Sequence, residues 1–281
     1  MIRFVCFASG SSGNCYYLAT DKTSILIDAG IGARTIKRRF KEFGLDLESL
    51  KAVLVTHDHV DHVKAVGVLG EKYHIPIYST SRVHDGIKRC YNVTEKLKVS
   101  ARFIQKEVSF TIGDFSITPF EVPHDSLDNI GYYIEAEGQK FCLATDIGHM
   151  TEVIAGYLSK ANYLVVESNY DEAMLLTGHY PQHLKERILG PNGHLSNRET
   201  AEFLASYYSP NWRQVWLCHL SKDNNNPEIA YHTVETSLER IGVKVGKDLP
   251  VTPLKRIVPS DVYILNENRQ LSLFSDMDMN L

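Results

Sequence analysis

The stretch VLVTHDHVDHVKA, residues 53–65, places an apolar run directly before five histidine and aspartate residues. Positions 57 to 62 read HDHVDH, in which only position 60 is neither histidine nor aspartate. The whole chain holds 12 histidines and 16 aspartates, so an H-x-H-x-D-H match is expected by chance only about 10⁻³ times in this length. Crowded imidazoles and carboxylates cost free energy through repulsion and lost solvation. A divalent cation would offset that cost and keep the imidazoles neutral, so the block predicts a metal site.

The spacing within the block predicts ligands for two neighbouring ions. Side chains alternate along an extended segment, so His57 and His59 point the same way. Asp61 and His62 follow where the strand end passes into a helix, and this second pair can serve a second ion. The alternative is one four-coordinate structural zinc, but such sites favour cysteine and close all four positions. The cysteines of this chain lie far from the block in sequence.

Further residues of metal-binding type follow three later apolar runs. His124 stands in EVPHDS, Asp146 in CLATDIG and His219 in VWLCHLS, each at the end of a segment otherwise suited to a core. Taken singly, such residues are more often ordinary loop residues. Together with the block they supply what a two-metal site lacks, including a carboxylate that can bridge the ions.

The overall composition is that of an ordinary globular protein, with 43% hydrophobic and 23% charged residues. A net charge of −4 and a pI of about 6.3 do not indicate a polyanion partner, although a local basic groove can coexist with them. The five cysteines are scattered and never form C-x-x-C, which favours free thiols in a reduced compartment. No signal-peptide pattern is present, and no apolar run approaches the ~20 residues that span a membrane. We therefore expect a cytoplasmic protein that does not enter a membrane.

The order of strand and helix patterns predicts an α/β fold in a single domain, residues 1–270, followed by a disposable tail, 271–281. Strands and helices alternate in the first third, where VKAVGVLGEKY, residues 63–73, predicts one helix. Consecutive strand patterns between 102 and 145 predict an antiparallel meander, after which strands and helices return. No linker rich in proline, glycine or serine interrupts this order. We therefore predict two packed sheets with helices outside.

The order of the motifs resembles that of the metallo-β-lactamase superfamily. Asp28 in ILIDAG, the HDHVDH block and the three later residues follow that order over roughly residues 1–225. Four further segments are similar to the YycJ/WalJ family, members of which are described as metal-dependent exonucleases. These segments are FASGSSGNCYYL, ESNYD, GHLSN and HLSKDNNNP. The resemblance implies a metallo-β-lactamase-like αββα sandwich, in which two mixed sheets pack face to face with helices outside.

The same resemblance implies a ligand set for two ions. One ion would be held by His57, His59 and His124, the other by Asp61, His62 and His219, with Asp146 between them. Imidazole and carboxylate without thiolate suit Zn²⁺ or Mn²⁺ and do not choose between them. Asp28 is implied to orient a ligand imidazole through its far ring nitrogen. Asp58 and Asp125 are candidates for the same role, and a solvated loop position is an equal alternative for both.

Two further segments concern the substrate. His194 follows a glycine turn in GPNGHLSN; in phosphodiesterases of this superfamily such a histidine contacts phosphate or protonates the leaving oxygen. The alternative is a residue that flanks a helix N-terminus. ASGSSGN, residues 8–14, can form an anion nest of backbone N–H groups, although a plain hairpin turn explains it equally well. The resemblance favours substrate binding by Ser11, Ser12 or Asn14.

These residues together predict a two-metal phosphodiester hydrolase, and the family resemblance implies stepwise degradation of a nucleic acid from an end, with DNA expected before RNA. Two divalent ions about 3.5–4 Å apart can hold a hydroxide and clamp both oxygens of an in-line displacement. We expect Asp61 to orient the hydroxide and His194 to assist departure of the leaving group. Exonuclease or endonuclease action, polarity, the native metal and the oligomeric state are left open.

The main alternative is a small-molecule hydrolase on the same metals, such as a cyclic phosphodiesterase, a lactonase or a thioester hydrolase. The acidic pI supports it, because nucleic acid requires phosphate contacts. Basic residues do cluster at 36–41, 96–98, 184–188 and 254–256, but such runs are usually solvated helix faces. A metal-holding regulatory protein is disfavoured, since an open two-metal site is reactive. A flavodiiron oxidoreductase is disfavoured because its pattern has glutamate in place of His59.

Overall fold

The computed structural model describes residues 1–266, and its strands form two seven-stranded sheets. The strands of the first sheet are β1 (Ile2–Ala8), β2 (Cys15–Ala19), β3 (Ser24–Ile27), β4 (Leu50–Leu54), β5 (Ile77–Ser79), β6 (Ala101–Phe103) and β14 (Tyr263–Leu265). They lie in the order β14-β1-β2-β3-β4-β5-β6. The pairs from β14 to β3 are antiparallel and those from β3 to β6 are parallel, so this sheet is mixed.

The second sheet is also mixed. Its strands are β7 (Phe110–Ile112), β8 (Phe115–Glu121), β9 (Ile130–Ala136), β10 (Gln139–Ala144), β11 (Tyr163–Glu167), β12 (Gln214–Cys218) and β13 (Val251–Pro253). They lie in the order β13-β12-β11-β10-β9-β8-β7. The strands from β7 to β10 form an antiparallel meander, and those from β10 to β13 are parallel.

The helices cover the outer faces of the two sheets. They are α1 (Ala33–Glu42), α2 (Val60–Val63), α3 (Val66–Lys72), α4 (Ser81–Arg89), α5 (Glu152–Lys160), α6 (Glu172–Thr177), α7 (Gln182–Leu189), α8 (Asn197–Ser206) and α9 (Pro227–Arg240), with a 3₁₀ turn at Leu47–Ser49. Buried Ile36 and Phe40 of α1 pack on the first sheet. On the second sheet, α5 contacts β8 and β10, and α9 contacts β13.

The core between the sheets is rich in aromatic residues. Phe4 of β1 and Trp216 of β12 are fully buried, and their ring centroids are 4.5 Å apart across the two sheets. Tyr16, Phe115 and Phe141 extend the same cluster. Separate apolar clusters lie between each sheet and its helices. Burying both faces of both sheets requires four layers, and the predicted αββα sandwich is confirmed.

The structure corrects two sequence predictions about these elements. The segment at Ala101–Phe103 pairs in parallel with β5 at the edge of the first sheet, so the meander begins only at Phe110. The predicted single helix over 63–73 is divided between α2 and α3. The backbone hydrogen bond that would continue the helix is replaced by bonds to distant segments. The carbonyl oxygen of Asp61 accepts from the N–H of Asn14 at 2.7 Å, and the N–H of Ala65 donates to Ala29 at 2.8 Å.

Several elements are present that no sequence pattern predicts, and they are α5, α6, β13 and β14. Each of these two strands is three residues long, which is too short to show a period of two. The five cysteines are free thiols. Within residues 1–266, no helix is both long and apolar enough to cross a bilayer. The single domain over 1–270 stays a prediction, and the predicted tail, 271–281, lies outside the described residues.

The fold directs five strand ends toward one edge of the sandwich. Asp28 follows β3, His57 follows β4, Asp146 follows β10, Glu167 ends β11 and His219 follows β12. Three of these residues have left-handed backbone conformations, with φ of 60° at Asp28, 56° at Asp146 and 54° at His219. Such conformations are uncommon outside glycine and cluster at functional sites. The chain therefore turns sharply where each of these three side chains leaves its strand.

Candidate metal centre

The HDHVDH block follows β4 and continues into the short helix α2, which includes Asp61 and His62. His57 forms an isolated antiparallel bridge with Asn129, and His59 immediately precedes α2. His57 and His62 are fully buried. The ring centroid of His57 is 4.7 Å from that of His59 and 4.0 Å from that of His62. The block therefore folds into one compact group of imidazoles.

The structure brings together all seven residues that are predicted as ligands. Candidate ligand atoms lie within 4.8 Å of one another in the groups His57, His59 and His124; Asp61, His62 and His219; and His57, His62 and Asp146. The first two groups are the two sets that the family resemblance implies. The Oδ2 atom of Asp146 lies 3.2 Å from Nε2 of His62, and its Oδ1 atom lies 3.7 Å from Nε2 of His124. This carboxylate therefore lies between the two sets.

Two buried imidazole nitrogens in this cluster lack a hydrogen-bond partner within residues 1–266. They are Nε2 of His57 and Nε2 of His124. The opposite nitrogens are engaged, since Nδ1 of His57 lies 3.1 Å from Oγ1 of Thr56 and Nδ1 of His124 lies 3.0 Å from the carbonyl oxygen of Gly193. Burial lowers the pKa of both imidazoles, which keeps them neutral. Unpaired buried polar atoms are rare in folded proteins, and here a divalent cation fits them.

The charges of the centre also fit a cation. Burial would lower the pKa of His219, but Asp146, Asp61 and Glu167 together raise it to about 10. Burial likewise opposes ionisation of Asp61, but His62 and His219 hold its pKa well below the usual range. Buried carboxylates thus attract protons onto imidazoles that could bind metal. A divalent ion would displace those protons and balance the same negative charge.

Asp28 is fully buried beneath the block and contacts a candidate ligand. Its Oδ2 atom lies 2.7 Å from Nδ1 of His62, and its Oδ1 atom accepts from the backbone N–H of Thr56 at 2.8 Å. The Thr56 hydroxyl donates to the same carboxylate, so it accepts from Nδ1 of His57. Asp28 therefore fixes the far ring nitrogens of two histidines, one directly and one through Thr56. Its role in metal binding stays a prediction.

Glu167 is a fully buried carboxylate that is not among the residues predicted from the sequence. Its Oε1 atom lies 2.8 Å from Nδ1 of His194 and 2.9 Å from Nδ1 of His219. Its Oε2 atom accepts from the backbone N–H groups of Ile147 at 2.7 Å and Leu195 at 3.1 Å. The available signal is the one that indicates Asp146, a carboxylate that ends an apolar strand, here in VVES. Glu167 fixes two histidines of the centre at once.

A cleft of about 320 Å³ opens beside the cluster. It is lined by Ser11, His59, Val60, Asp61, Asp146, Arg187, His194 and His219. His194 is 16% exposed at its side chain, and because Glu167 engages Nδ1, its Nε2 atom is available to a molecule in the cleft. Arg187 of α7 ion-pairs with Asp125. The sequence indicates Arg187 only as part of the basic run 184–188.

The predicted substrate loop borders this cleft, but its three predicted residues differ in exposure. Ser11 and Ser12 are exposed, whereas Asn14 is fully buried. The Oδ1 atom of Asn14 accepts from the N–H of Gly10 at 2.8 Å, and its Nδ2 atom lies 2.9 Å from Nε2 of His62. The side chain of Asn14 therefore ties the loop to the HDHVDH block, and substrate binding by Asn14 stays a prediction. Substrate binding by Ser11 and Ser12 stays a prediction.

The two aspartates beside the ligands have different surroundings. The Oδ1 atom of Asp125 lies 3.3 Å from Nε2 of His124 and 3.8 Å from Nε2 of His59. Asp58 instead accepts from the backbone N–H of Leu127 at 3.3 Å. Asp125 is therefore the one of the two that adjoins candidate ligands.

Comparison with known proteins gives the centre a family context. A family model described as a β-lactamase superfamily domain matches residues 23–220. The chain belongs to the metallo-β-lactamase superfamily. The structure of the metallo-β-lactamase fold protein YhfI from Bacillus subtilis shares this superfamily's fold with a TM-score of 0.67 at 17% identity. That comparison covers 92% of this chain and 98% of YhfI.

Within the superfamily, the chain is similar to two proteins named as exodeoxyribonucleases. Exodeoxyribonuclease YycJ of Bacillus anthracis is 32% identical over 262 residues, which are 93% of this chain and 98% of that protein. Exodeoxyribonuclease WalJ of Streptococcus pneumoniae (strain D39) is 33% identical over 249 residues, or 89% and 93% of the two chains. The predicted membership of the YycJ/WalJ family is confirmed. The protein is a metal-dependent hydrolase of the nuclease and phosphodiesterase class, and the small-molecule alternative is not favoured.

Proposed function

We propose that this protein is a cytoplasmic DNA exonuclease that hydrolyses phosphodiester bonds at a centre of two divalent ions, Zn²⁺ or Mn²⁺. The observation that carries the proposal is the convergence of seven metal-binding side chains beside a cleft. The two relatives named exodeoxyribonucleases match this chain over nearly their full lengths. They support DNA as the substrate and removal of nucleotides from an end.

The proposed ligand set follows the contacts within the cluster. His57, His59 and His124 would hold one ion, Asp61, His62 and His219 the other, and Asp146 would be shared. Nitrogen and oxygen donors without thiolate suit Zn²⁺ or Mn²⁺. When bound, such a pair of ions lowers the pKa of water toward neutrality and stabilises the charge that develops on phosphate.

The residues that line the cleft supply the remaining steps. Asp61 would accept a hydrogen bond from the attacking water and orient it toward phosphorus. His194 would donate a proton from Nε2 to the departing oxygen, since Glu167 holds its Nδ1 atom at 2.8 Å. Arg187 would donate hydrogen bonds to a phosphate oxygen, and its ion pair with Asp125 restricts its position. Glu167 and Asp125 are positioning residues in this scheme.

Purified protein assayed on end-labelled DNA and RNA tests the proposal. With added Mn²⁺ or Zn²⁺, we expect stepwise release of mononucleotides from one end of DNA, and slower release from RNA. Asp61→Ala and His62→Ala should abolish hydrolysis of DNA and of bis-p-nitrophenyl phosphate while far-ultraviolet circular dichroism stays unchanged. His232→Ala is the matched control, because His232 is exposed on α9, where it contacts Tyr231 and Glu235 of the same helix.

Three results would contradict the proposal. The first is full activity in either centre variant, and the second is no hydrolysis of DNA by the metal-loaded protein. The third is DNA binding that is absent or insensitive to salt in a gel-shift series, which would favour a small-molecule substrate. True phosphate contacts weaken steeply as salt rises.

A further inference from the structure

The tip of the loop between β1 and β2 carries hydrogen-bond donors without partners. The N–H of Gly13 donates to the carbonyl oxygen of Gly10 at 2.8 Å, which closes a tight turn around Ser11 and Ser12. The N–H of Gly10 donates to Asn14, and the N–H of Asn14 donates to Asp61. Within residues 1–266, no hydrogen bond engages the amides or hydroxyls of Ser11 and Ser12. Two N–H and two O–H groups of this exposed tip are therefore without a hydrogen-bond partner within residues 1–266.

Arg256 lies against the same loop, although it is distant in sequence. Its carbonyl oxygen accepts from the N–H of Ser9 at 3.2 Å, and its Nη1 atom donates to the carbonyl oxygen of Ser221 at 3.2 Å. A Cβ atom on Gly10 would lie 3.0 Å from Cγ of Arg256, so the glycine allows this arginine to lie close over the turn. No carboxylate within residues 1–266 pairs with Arg256. A guanidinium has five N–H donors, and most of those on Arg256 are left unused.

The loop and Arg256 adjoin the metal centre. Ser11 lines the cleft together with Asp61 and His219. The hydroxyl of Ser9 accepts from the N–H of His219 at 2.9 Å. Ser221, whose carbonyl oxygen anchors Arg256, is two residues beyond His219. Ser11 therefore belongs both to the loop tip and to the wall of the cleft.

We propose that Ser11, Ser12 and Arg256 form a phosphate-binding subsite for the phosphate that neighbours the scissile one in a bound strand. The inference rests on the proposed function and extends it to a second phosphate. Successive free N–H groups in a glycine-rich turn form an anion nest, and arginine binds phosphate through paired N–H donors. Arg256 has no carboxylate partner within residues 1–266, so its positive charge is available to an anion at the loop. The bound group is an internal phosphodiester or a terminal phosphate, which share this chemistry.

The test compares Arg256→Gln with Lys255→Gln. Glutamine can still donate to the Ser221 carbonyl but has no charge, and Lys255 is an exposed neighbour whose replacement removes the same charge. Binding of a single-stranded oligonucleotide is measured by fluorescence anisotropy over a salt series, with 5′-phosphate and 5′-hydroxyl ends. Hydrolysis is measured with the same strands and with bis-p-nitrophenyl phosphate, which has no second phosphate.

We expect Arg256→Gln to weaken oligonucleotide binding and raise KM about tenfold. The slope of log K against log salt should lose about 0.7. Hydrolysis of bis-p-nitrophenyl phosphate and all properties of Lys255→Gln should stay unchanged. A double Ser11→Ala, Ser12→Ala variant should weaken binding less, because the backbone N–H groups persist. If Arg256→Gln loses affinity only for strands with a 5′-phosphate, the subsite binds a terminal phosphate. If it loses affinity equally for strands with 5′-phosphate and 5′-hydroxyl ends, the subsite binds an internal phosphodiester.

Three outcomes would overturn the subsite. They are unchanged affinity and salt slope in Arg256→Gln, an equal loss in Lys255→Gln, or an equal loss of bis-p-nitrophenyl phosphate hydrolysis. Binding of the oligonucleotide with a normal Arg256 effect but no hydrolysis by the wild-type protein would contradict only the proposed nuclease. If the wild-type protein binds no oligonucleotide, both proposals are wrong.

Discussion

The carboxylate of Glu167 lies 2.8 Å from Nδ1 of His194. This carboxylate is fully buried at the end of a strand, and it also accepts from a second imidazole and from two backbone N–H groups. Four donors converge on its two oxygens, so both oxygens must act as acceptors. Burial opposes ionisation of Glu167, but His194 and His219 lower its pKa, so the ionised carboxylate accepts from all four groups.

Glu167→Gln tests that requirement. Glutamine has one acceptor oxygen, and its NH₂ group would face either two imidazole N–H groups or two backbone N–H groups. We expect kcat on DNA and on bis-p-nitrophenyl phosphate to fall about 10²-fold at saturating metal. The circular dichroism spectrum should be retained. Glu228→Gln at the exposed start of α9 is the control, and wild-type kcat in Glu167→Gln would contradict the assigned role.

Asp28→Asn tests the support beneath the block. Asp28 contacts Nδ1 of His62 at 2.7 Å, and an amide of the same shape accepts this bond more weakly. Removal of such a partner commonly lowers metal affinity about 10–100-fold. Chelator competition followed by elemental analysis measures that change, with exposed Asp21→Asn as the control. Equal metal retention in the two variants would show that Asp28 does not orient a ligand.

Gly30→Ala tests the close approach of backbone segments at the centre. A Cβ atom at Gly30 would lie 1.5 Å from the carbonyl oxygen of Asp61, so the loop after β3 and the HDHVDH block must separate. We expect about 1–3 kcal/mol of destabilisation, together with lost metal. Urea denaturation and metal content measure both effects.

Gly156→Ala in α5 is the matched control for that glycine substitution. A Cβ atom there would have nothing within 4 Å, and alanine should stabilise the helix by about 0.5–1 kcal/mol. If both glycine variants shift stability in the same direction, the steric account of Gly30 is wrong.

Glu71 provides a pH-dependent prediction away from the centre. Its carboxylate accepts from the Ser100 hydroxyl at 2.6 Å and the N–H of Lys98 at 2.8 Å, and these bonds lower its pKa from 4.5 to about 2. The folded-state pKa is depressed, so the contribution to stability is present above pH 4.5 and is lost as pH falls toward 2. We expect Glu71→Gln to have a lower Tm than the wild type at pH 7. That difference should shrink at pH 3, and a difference independent of pH would contradict the prediction.

The residues of the candidate centre could be predicted because their signal is local. A histidine or aspartate that ends an apolar strand is visible in the sequence, and parallel strands bring such ends together. Glu167 gives the same signal but is not distinguished by sequence from an exposed glutamate. Its burial depends on contacts with segments that lie 20 to 52 residues away.

Predictions that depend on how a segment pairs with residues distant in sequence are less accurate. Ala101–Phe103 has the pattern of a strand, but sequence does not reveal which sheet it joins. The predicted helix over 63–73 is interrupted near its start, because Ala65 donates to Ala29 and the carbonyl oxygen of Asp61 accepts from Asn14, 47 residues away. Asn14 itself stands in a glycine-rich loop of the kind usually exposed, yet it is buried by this bond.

Three residues of the centre have left-handed backbone conformations, which glycine would adopt with less steric strain. They are Asp28, Asp146 and His219. Because each of these side chains makes contacts within the centre, the fold retains backbone strain at the positions that carry its chemistry. At these three residues, the backbone geometry that the centre needs therefore lowers the thermal stability of the fold. Engineering for heat resistance should leave them alone and begin at unconstrained positions such as Gly156.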